Sequence, residues 1–301
     1  MPIPIPDAAV EPPLRDSVDA LATEDTPPAI VSISDIHGYL EAARSALTTL
    51  GDHPDYEPVV VADADGTLHW ADNDYVLVFN GDLVDRGPAN DAVLALVGRL
   101  IDEAPPGRVR VTLGNHEALI CSPEAFGFTD WYSGQVDDAA RRQLCRAISA
   151  GHVVAAYEGY GVTYAHAGSA DPYDVSAVNE SLVAAAGELR AAIGTDADRT
   201  VQADLVDDYP AVLGVGRSHL KGPEAGLVWL HFDHLPSDAP PQVVGHTRHD
   251  SPAVDGQVSC QNVIRNNLDS PGGEAVFVET PDRLDALVRQ ADGGVSDRRI
   301  G

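Results

Sequence analysis

Five times along this chain, a short apolar run ends in a small or polar residue and then in a side chain able to bind a metal ion. IVSIS leads into Asp35 and His37, YVLVFNG into Asp82, VRVTLG into Asn115, GVTYA into His166, and PQVVG into His246. Runs of this length suit strands buried on both faces of a helix-covered sheet. An α/β sheet of that kind collects its ligands beyond the carboxyl ends of its strands. The six donors would then meet at one edge. Carboxylate, imidazole and amide oxygen together suit two divalent ions held a few ångströms apart. The pattern predicts an enzyme.

Composition narrows the setting. The chain has 301 residues, 44% of them hydrophobic, enough for one large domain. No run approaches the roughly 18 apolar residues of a membrane span. The N-terminal MPIPIPDAAVEPPLRD has no basic region followed by an apolar one, so no export signal is read and a cytoplasmic location is expected. Cys121, Cys145 and Cys260 are odd in number and far apart, which predicts reduced, buried thiols. Acidic residues outnumber basic ones 47 to 19, for a formal net charge of −28, and Lys221 is the only lysine. No Lys/Arg cluster offers a nucleic-acid-binding face. Such self-repulsion destabilises a compact state in dilute buffer. At about 1 M salt the Debye length falls to roughly 3 Å and the repulsion nearly vanishes. The composition therefore predicts a halophilic protein of a high-salt cytoplasm, as in haloarchaea.

Along the chain, residues 1–27 are Pro- and Asp-rich without periodicity and are expected to form a flexible arm. Residues 28–290 are expected to form the folded domain, and 291–301 a frayed tail. A strand near Ile30–Ser34 precedes a helix over Tyr39–Leu50. Tyr56–Trp70 reads as a hairpin turning at Asp65-Gly66. A strand over Tyr75–Asn80, a helical stripe through Val93, Leu94, Leu96, Val97, Leu100 and Ile101, and a strand over Val109–Leu113 complete a βαβαβ unit with right-handed crossovers. Helices are predicted over Asp137–Ala150, Ser176–Ile193 and Thr200–Leu213, and a hairpin joins Val153–Tyr157 to Val162–Ala165. LVWLHF, QVVG and AVFVE read as strands. The expected fold class is α/β, a two-sheet β-sandwich flanked by helices.

In order, the motifs are SDIHG (34–38), GDLVDRG (81–87), GNHE (114–117), HAG (166–168) and GHT (245–247). Together they closely resemble the PPP-type serine/threonine phosphatases and their bacterial relatives, which include the diadenosine tetraphosphate hydrolases, within the calcineurin-like metallophosphoesterases. The resemblance spans roughly residues 29–280. It implies that Asp35, His37 and Asp82 hold one metal ion and that Asp82, Asn115, His166 and His246 hold a second. Manganese is the first choice, with iron, zinc, cobalt or nickel as alternatives. It further implies that a water between the ions attacks phosphorus. His116 would protonate the leaving oxygen, with Asp85 orienting its ring. Arg86 would hold phosphoryl oxygens through its planar fork. The family's second phosphate-binding arginine is assigned to Arg217, with Arg248 as fallback. Glu117 is expected to support the site without ligating, and His249 to lie outside the ligand set. The implied substrates are phosphoproteins, dinucleotides such as diadenosine tetraphosphate, or small phosphoesters.

One competing motif exists. VVVADADGTL (59–68) has the form of the nucleophile loop of haloacid-dehalogenase-type phosphatases, with Asp63 attacking phosphorus and Asp65 as acid. That chemistry also needs a suitably placed lysine and a later acidic pair. Asp-Gly as a hairpin turn is the simpler reading.

Overall fold

The computed structural model describes residues 9–22, 27–217 and 220–301. In chain order the strands are β1 (Ile30–Ile33), β2 (Val60–Ala62), β3 (Leu68–Trp70), β4 (Val76–Phe79), β5 (Val109–Thr112), β6 (Val153–Val154), β7 (Ala156–Glu158), β8 (Thr163–Ala165), β9 (Gln242–Val244), β10 (Ala253–Asp255), β11 (Val258–Cys260), β12 (Ala275–Thr280), β13 (Arg283–Arg289) and β14 (Val295–Arg299). One sheet has seven strands in the order β14-β13-β12-β1-β4-β5-β6, and a second has five in the order β10-β11-β9-β8-β7. β1, β4, β5 and β6 run parallel in the first, and β8, β9 and β11 run parallel in the second. The α/β, two-sheet architecture expected from the sequence is the one found.

Helices follow the apolar stripes. α1 (Pro12–Asp16), α2 (Leu40–Thr48), α3 (Asn90–Glu103), α4 (Asn115–Cys121), α5 (Pro123–Phe126), α6 (Tyr132–Gln135), α7 (Asp138–Ser149), α8 (Val175–Ala192), α9 (Asp198–Asp208) and α10 (Pro210–Leu213) occur in that order. α3 buries Val93, Leu94, Leu96, Val97, Leu100 and Ile101, the stripe read from the sequence. The carboxylates of Asp137 and Asp174 accept N–H bonds from Ala140 and Ala177, capping α7 and α8. β1, β4 and β5 are buried at every position, as strands covered on both faces must be. No helix among the described residues is long and apolar enough to cross a membrane.

Four expectations are corrected. The first concerns the N-terminal arm. Of it, 1–8 and 23–26 lie outside the described residues, but α1 and the short turn after it are docked. Val18 is buried, Asn179 donates to Asp16 Oδ1 (2.8 Å), and Arg110 donates to the Leu14 carbonyl (2.7 Å). One helical turn and one buried valine leave no periodicity to read, so tertiary contacts decide. Second, the tail from 291 is not frayed. β14 pairs antiparallel with β13 from Val295↔Arg289 to Arg299↔Asp285. It is an exposed, charged edge strand held by backbone bonds, with little apolar pattern to show. Third, LVWLHF is not a strand. Trp229 and Leu230 donate N–H bonds back to the Gly226 carbonyl, and a 3-10 turn follows over Phe232–His234. An apolar run signals burial and cannot by itself separate strand from buried turn. Fourth, the predicted Thr200–Leu213 helix is broken between α9 and α10 at Tyr209-Pro210, where the proline lacks the N–H a continuing helix needs.

Candidate active site

The loops leaving β1 and β4 stay zipped together beyond the sheet. Asp35 N–H donates to the Gly81 carbonyl (3.0 Å), His37 N–H to Asp82 (2.8 Å), Gly38 N–H to Leu83 (2.8 Å), and Gly87 N–H back to His37 (2.7 Å). A Cβ on Gly87 would stand 2.5 Å from the His37 carbonyl oxygen. Glycine is therefore required where the two loops touch. Among the described residues nine non-glycine residues have positive φ, and six of them are Asp35, His37, Asp82, Asp85, Arg86 and His246. Strain of this kind is tolerated where surrounding bonds over-determine the backbone. Here it turns consecutive side chains into one space.

Five strand ends supply that space. Asp35 and His37 follow β1, Asp82 follows β4, and Asn115 starts the helix after β5. His166 follows β8, and His246 follows β9. The site thus lies where the two sheets meet. His166 Nδ1–H donates across the gap to the Asn80 carbonyl (2.9 Å), and His246 N–H donates to the Asp35 carboxylate (3.1 and 3.2 Å).

Asp82 is the centre. Its Oδ2 lies 3.4 Å from His37 Nε2 and 3.4 Å from His166 Nε2. On one side, His37 Nε2 is 3.9 Å from Asp35 Oδ1. On the other, His166 Nε2 is 3.2 Å from Asn115 Oδ1 and 3.2 Å from His246 Nδ1. The far nitrogens of His37 and His166 face carbonyls, Val84 and Asn80. A carbonyl only accepts, so Nδ1 carries a proton in each ring and Nε2 is the nitrogen turned inward. Two buried triads result, His37–Asp82–His116 and Asp82–His166–His246, each with ligand atoms within 4.8 Å of one another. Asp82 belongs to both.

The electrostatics call for cations. Burial, with Asp82 beside it, pushes the Asp35 carboxyl upward. Burial favours the neutral acid at Asp82 too, yet the His166 and His116 rings hold it well below the carboxylate range. Burial drives His37 down to about 3 and His246 well below its ordinary value. Burial opposes charge on His166 as well, but Asp82 outweighs it and carries the ring up to about 9. Neutral imidazoles and ionised carboxylates are the forms metals take, and binding would displace the His166 proton. His246 Nε2 is buried with no hydrogen-bond partner. The donor set is consistent with a dinuclear metal site, and Asp82 is the residue the two clusters have in common.

Other residues surround this core. His116 Nδ1 lies 2.5 Å from Asp85 Oδ2, and its Nε2 faces Asp82 Oδ2 at 3.9 Å. The guanidinium of Arg86 sits 3.7 Å over the ring of Trp131. Glu117 staples the loops. It accepts N–H bonds from Asp82 (2.8 Å), Leu83 (2.9 Å) and Gly114 (3.1 Å), and reaches no ligand side chain. A Cβ on Gly114 would stand 2.3 Å from the Asp82 nitrogen, so this crossing also admits only glycine. His249 packs edge-on against Phe232, outside the cluster. Asp63 does not reach the site. Its Oδ1 accepts N–H bonds from Asp65 and Thr67, closing the β2–β3 turn.

Arg217 departs from expectation. Its side chain is 80% exposed and pairs with Glu224 at 2.5 Å. An exposed carboxylate is the nearer attraction, and spacing along the chain could not show it. Lys221 instead feels the site: burial lowers its pKa, Asp82 and Asp35 oppose that shift, and Arg86 and Arg248 add to it. The sequence reading gave no role to three residues that support the site. Asn262 donates to Asp35 Oδ1 (2.7 Å), Ser133 to both oxygens of Asp85, and Trp131 stacks on His116. Asn262 and Ser133 sit outside the five motifs, on segments whose position is fixed only by the fold.

A two-sheet α/β fold with two buried, carboxylate-linked His/Asp clusters defines a metal-dependent hydrolase of the dinuclear type. The chain belongs to the calcineurin-like phosphoesterase family, whose profile matches residues 28–185, and is thus a metal-dependent phosphoesterase. Similar solved structures include a point mutant of a cold-active protein tyrosine phosphatase. It is 17% identical, with a TM-score of 0.59 over 91% of this chain and 80% of that one. The cold-active protein-tyrosine phosphatase of a psychrophilic Shewanella sp. is also 17% identical, with a TM-score of 0.55 over 97% and 85%. At this identity they speak for the fold. No curated protein matches the sequence.

Proposed function

We propose that this chain is a protein phosphatase of the PPP-like type, removing phosphate from serine or threonine side chains with two divalent ions, manganese first among them. The observation that carries the chemistry is the position of Asp82 Oδ2, equally 3.4 Å from His37 Nε2 and His166 Nε2. Asp35, His37 and Asp82 hold one ion; Asp82, Asn115, His166 and His246 hold the other. Such ions supply Lewis acidity to phosphoryl oxygens and an acidified water. The protein's own groups do the rest. Arg86 orients the phosphoryl group through its fork, and Arg248 takes the place first given to Arg217. His116 donates its Nε2 proton to the leaving oxygen as the P–O bond breaks, and Asp85 holds the imidazolium that the ring must be beforehand. No side chain becomes phosphorylated.

Support for serine and threonine comes from the PPP-type motif set alone; the structural neighbours are named as protein tyrosine phosphatases and favour a phosphoprotein without favouring those two residues. The test is a panel in high-salt buffer with Mn²⁺: phosphoserine, phosphothreonine and phosphotyrosine peptides against diadenosine tetraphosphate. Preferential turnover of the serine and threonine peptides is expected. Preference for the dinucleotide would replace this reading with the hydrolase branch. Asp63→Asn should leave turnover intact where Asp82→Asn abolishes it, since Asp63 serves a turn.

A further inference from the structure

We propose that Ser133 and Trp131 are positioning residues that lock the His116–Asp85 pair, making the loop around residues 127–135 part of the proton-donating apparatus. This rests on the phosphatase reading above and extends it to residues outside the five motifs.

Three donors hold Asp85. Ser133 N–H donates to its Oδ1 (2.9 Å), Ser133 Oγ–H donates to its Oδ2 (2.7 Å), and that same Oδ2 faces His116 Nδ1 (2.5 Å). Asp85 N–H is itself tied to Asn90 Oδ1 (2.7 Å). Ser133 is fully buried, so its hydroxyl has no water to turn to. Deleting it would leave a buried carboxylate oxygen short of a donor. Burial works against ionisation of Asp85, yet these donors hold it below the ordinary carboxylate range.

The ring is fixed as well as its nitrogen. Trp131 lies nearly parallel to His116, with centroids 5.1 Å apart and planes 14° apart. His37 meets the His116 ring edge-on at 4.7 Å and 86°. Phe128 backs Trp131 at 4.3 Å and 13°. Trp131 N–H donates to the Phe128 carbonyl (3.2 Å) and Gly134 N–H to Trp131 (3.1 Å), so the loop is closed on itself. A Cβ on Gly134 would lie 2.1 Å from the Phe128 oxygen. His116 thus has one nitrogen bound and its plane held. Nε2 is left facing the cluster for transfer to the leaving oxygen. Because transition-state proton transfer depends on alignment, loosening this hold costs most when the leaving group needs the proton most.

The distinguishing measurement is leaving-group dependence. Wild type, Ser133→Ala and Trp131→Leu are assayed as Mn²⁺-loaded full chains on p-nitrophenyl phosphate, whose leaving group needs little protonation, and on phenyl phosphate, which needs more. Both variants should lose about tenfold more kcat on phenyl phosphate than on p-nitrophenyl phosphate, a fraction of the roughly 10²–10⁴ that a whole acid contributes. Metal content should not change. Ser133→Thr and Trp131→Phe, which keep the hydroxyl and the ring face, should return the ratio toward wild type. In an Asp85→Asn background Ser133→Ala should not alter the ratio further, because both act through one carboxylate. Equal losses on both substrates, or a change in KM alone, would overturn the proposal while leaving the phosphatase reading in place. A metal-loaded wild type inactive on both esters and on the phosphopeptides would overturn the two together.

Discussion

Two buried polar clusters in this molecule are built on opposite terms. Between α7 and α9, Arg141 grips Asp198 with two bonds of 2.7 Å. Gln202 and the Gly194 N–H add two more, at 2.8 and 3.1 Å, and the remaining guanidinium bonds reach Asp138 and the Cys121 carbonyl. Both terminal guanidinium nitrogens face acceptors and only Nε lacks one, while the Arg141 charge is met by that of Asp198. At the five strand ends the reverse holds. Carboxylates crowd carboxylates, imidazole nitrogens face one another at 3.2 Å, and His246 Nε2 has no partner. One cluster pairs its opposite charges within the protein. The other is complete only with added positive charge, and left-handed backbone at Asp35, His37, Asp82 and His246 holds it in that state.

The largest effect that can break this contrast is Asp82→Asn. Removing the shared carboxylate should abolish turnover, since a metal site supplies several kcal/mol and each 1.4 kcal/mol is about tenfold in rate. Metal analysis should show both ions weakened. Normal metal content and activity in that variant would dissolve the distinction between the clusters. His116→Asn comes next. Turnover should fall by about 10²–10⁴ with metal retained. Loss of an ion there would instead make His116 a ligand, as its place in one triad with His37 and Asp82 allows.

Asp198→Ala sharpens the comparison from the other side. It should cost about 3 kcal/mol of stability in denaturant melts, the usual toll for stranding one half of a buried ion pair, without changing metal stoichiometry. The Arg141 bonds hold the Asp198 carboxyl below its ordinary value. Its folded pKa is depressed, so its stabilisation is fully present above the unfolded value of about 3.9 and is lost as pH falls below it. The variant should therefore lose stability less steeply than wild type between about pH 4 and pH 2. The smallest effect is that of salt. The −28 charge is spread over both regions. Raising KCl toward about 1 M should lift the melting temperature of wild type and Asp198→Ala alike. A melting temperature indifferent to salt would remove the case for a high-salt habitat.

The contrast also explains what the sequence could reveal. The metal-binding side chains follow buried strands, and apolar runs ending in Asp, His or Asn are legible because strand and ligand are neighbours in the chain. α3 was legible for a similar reason, its stripe being local. Asn262 and Ser133 touch Asp35 and Asp85 only after the chain returns from 227 and 48 residues away. Arg217 looked suitable by position, but its guanidinium is drawn to Glu224. The docking of Val18 likewise depends on partners distant in sequence, whereas β14 pairs with its neighbour β13 and escaped notice because its exposed, charged residues carry no apolar periodicity.

The central claim is that Asp82 is shared by two cations. Crystals grown with Mn²⁺ and measured near its absorption edge would test it directly. Two anomalous peaks are expected, one on each side of Asp82 Oδ2, bounded by Asp35 and His37 on one side and by Asn115, His166 and His246 on the other. A single peak, or two that leave Asp82 uncoordinated, would contradict the account.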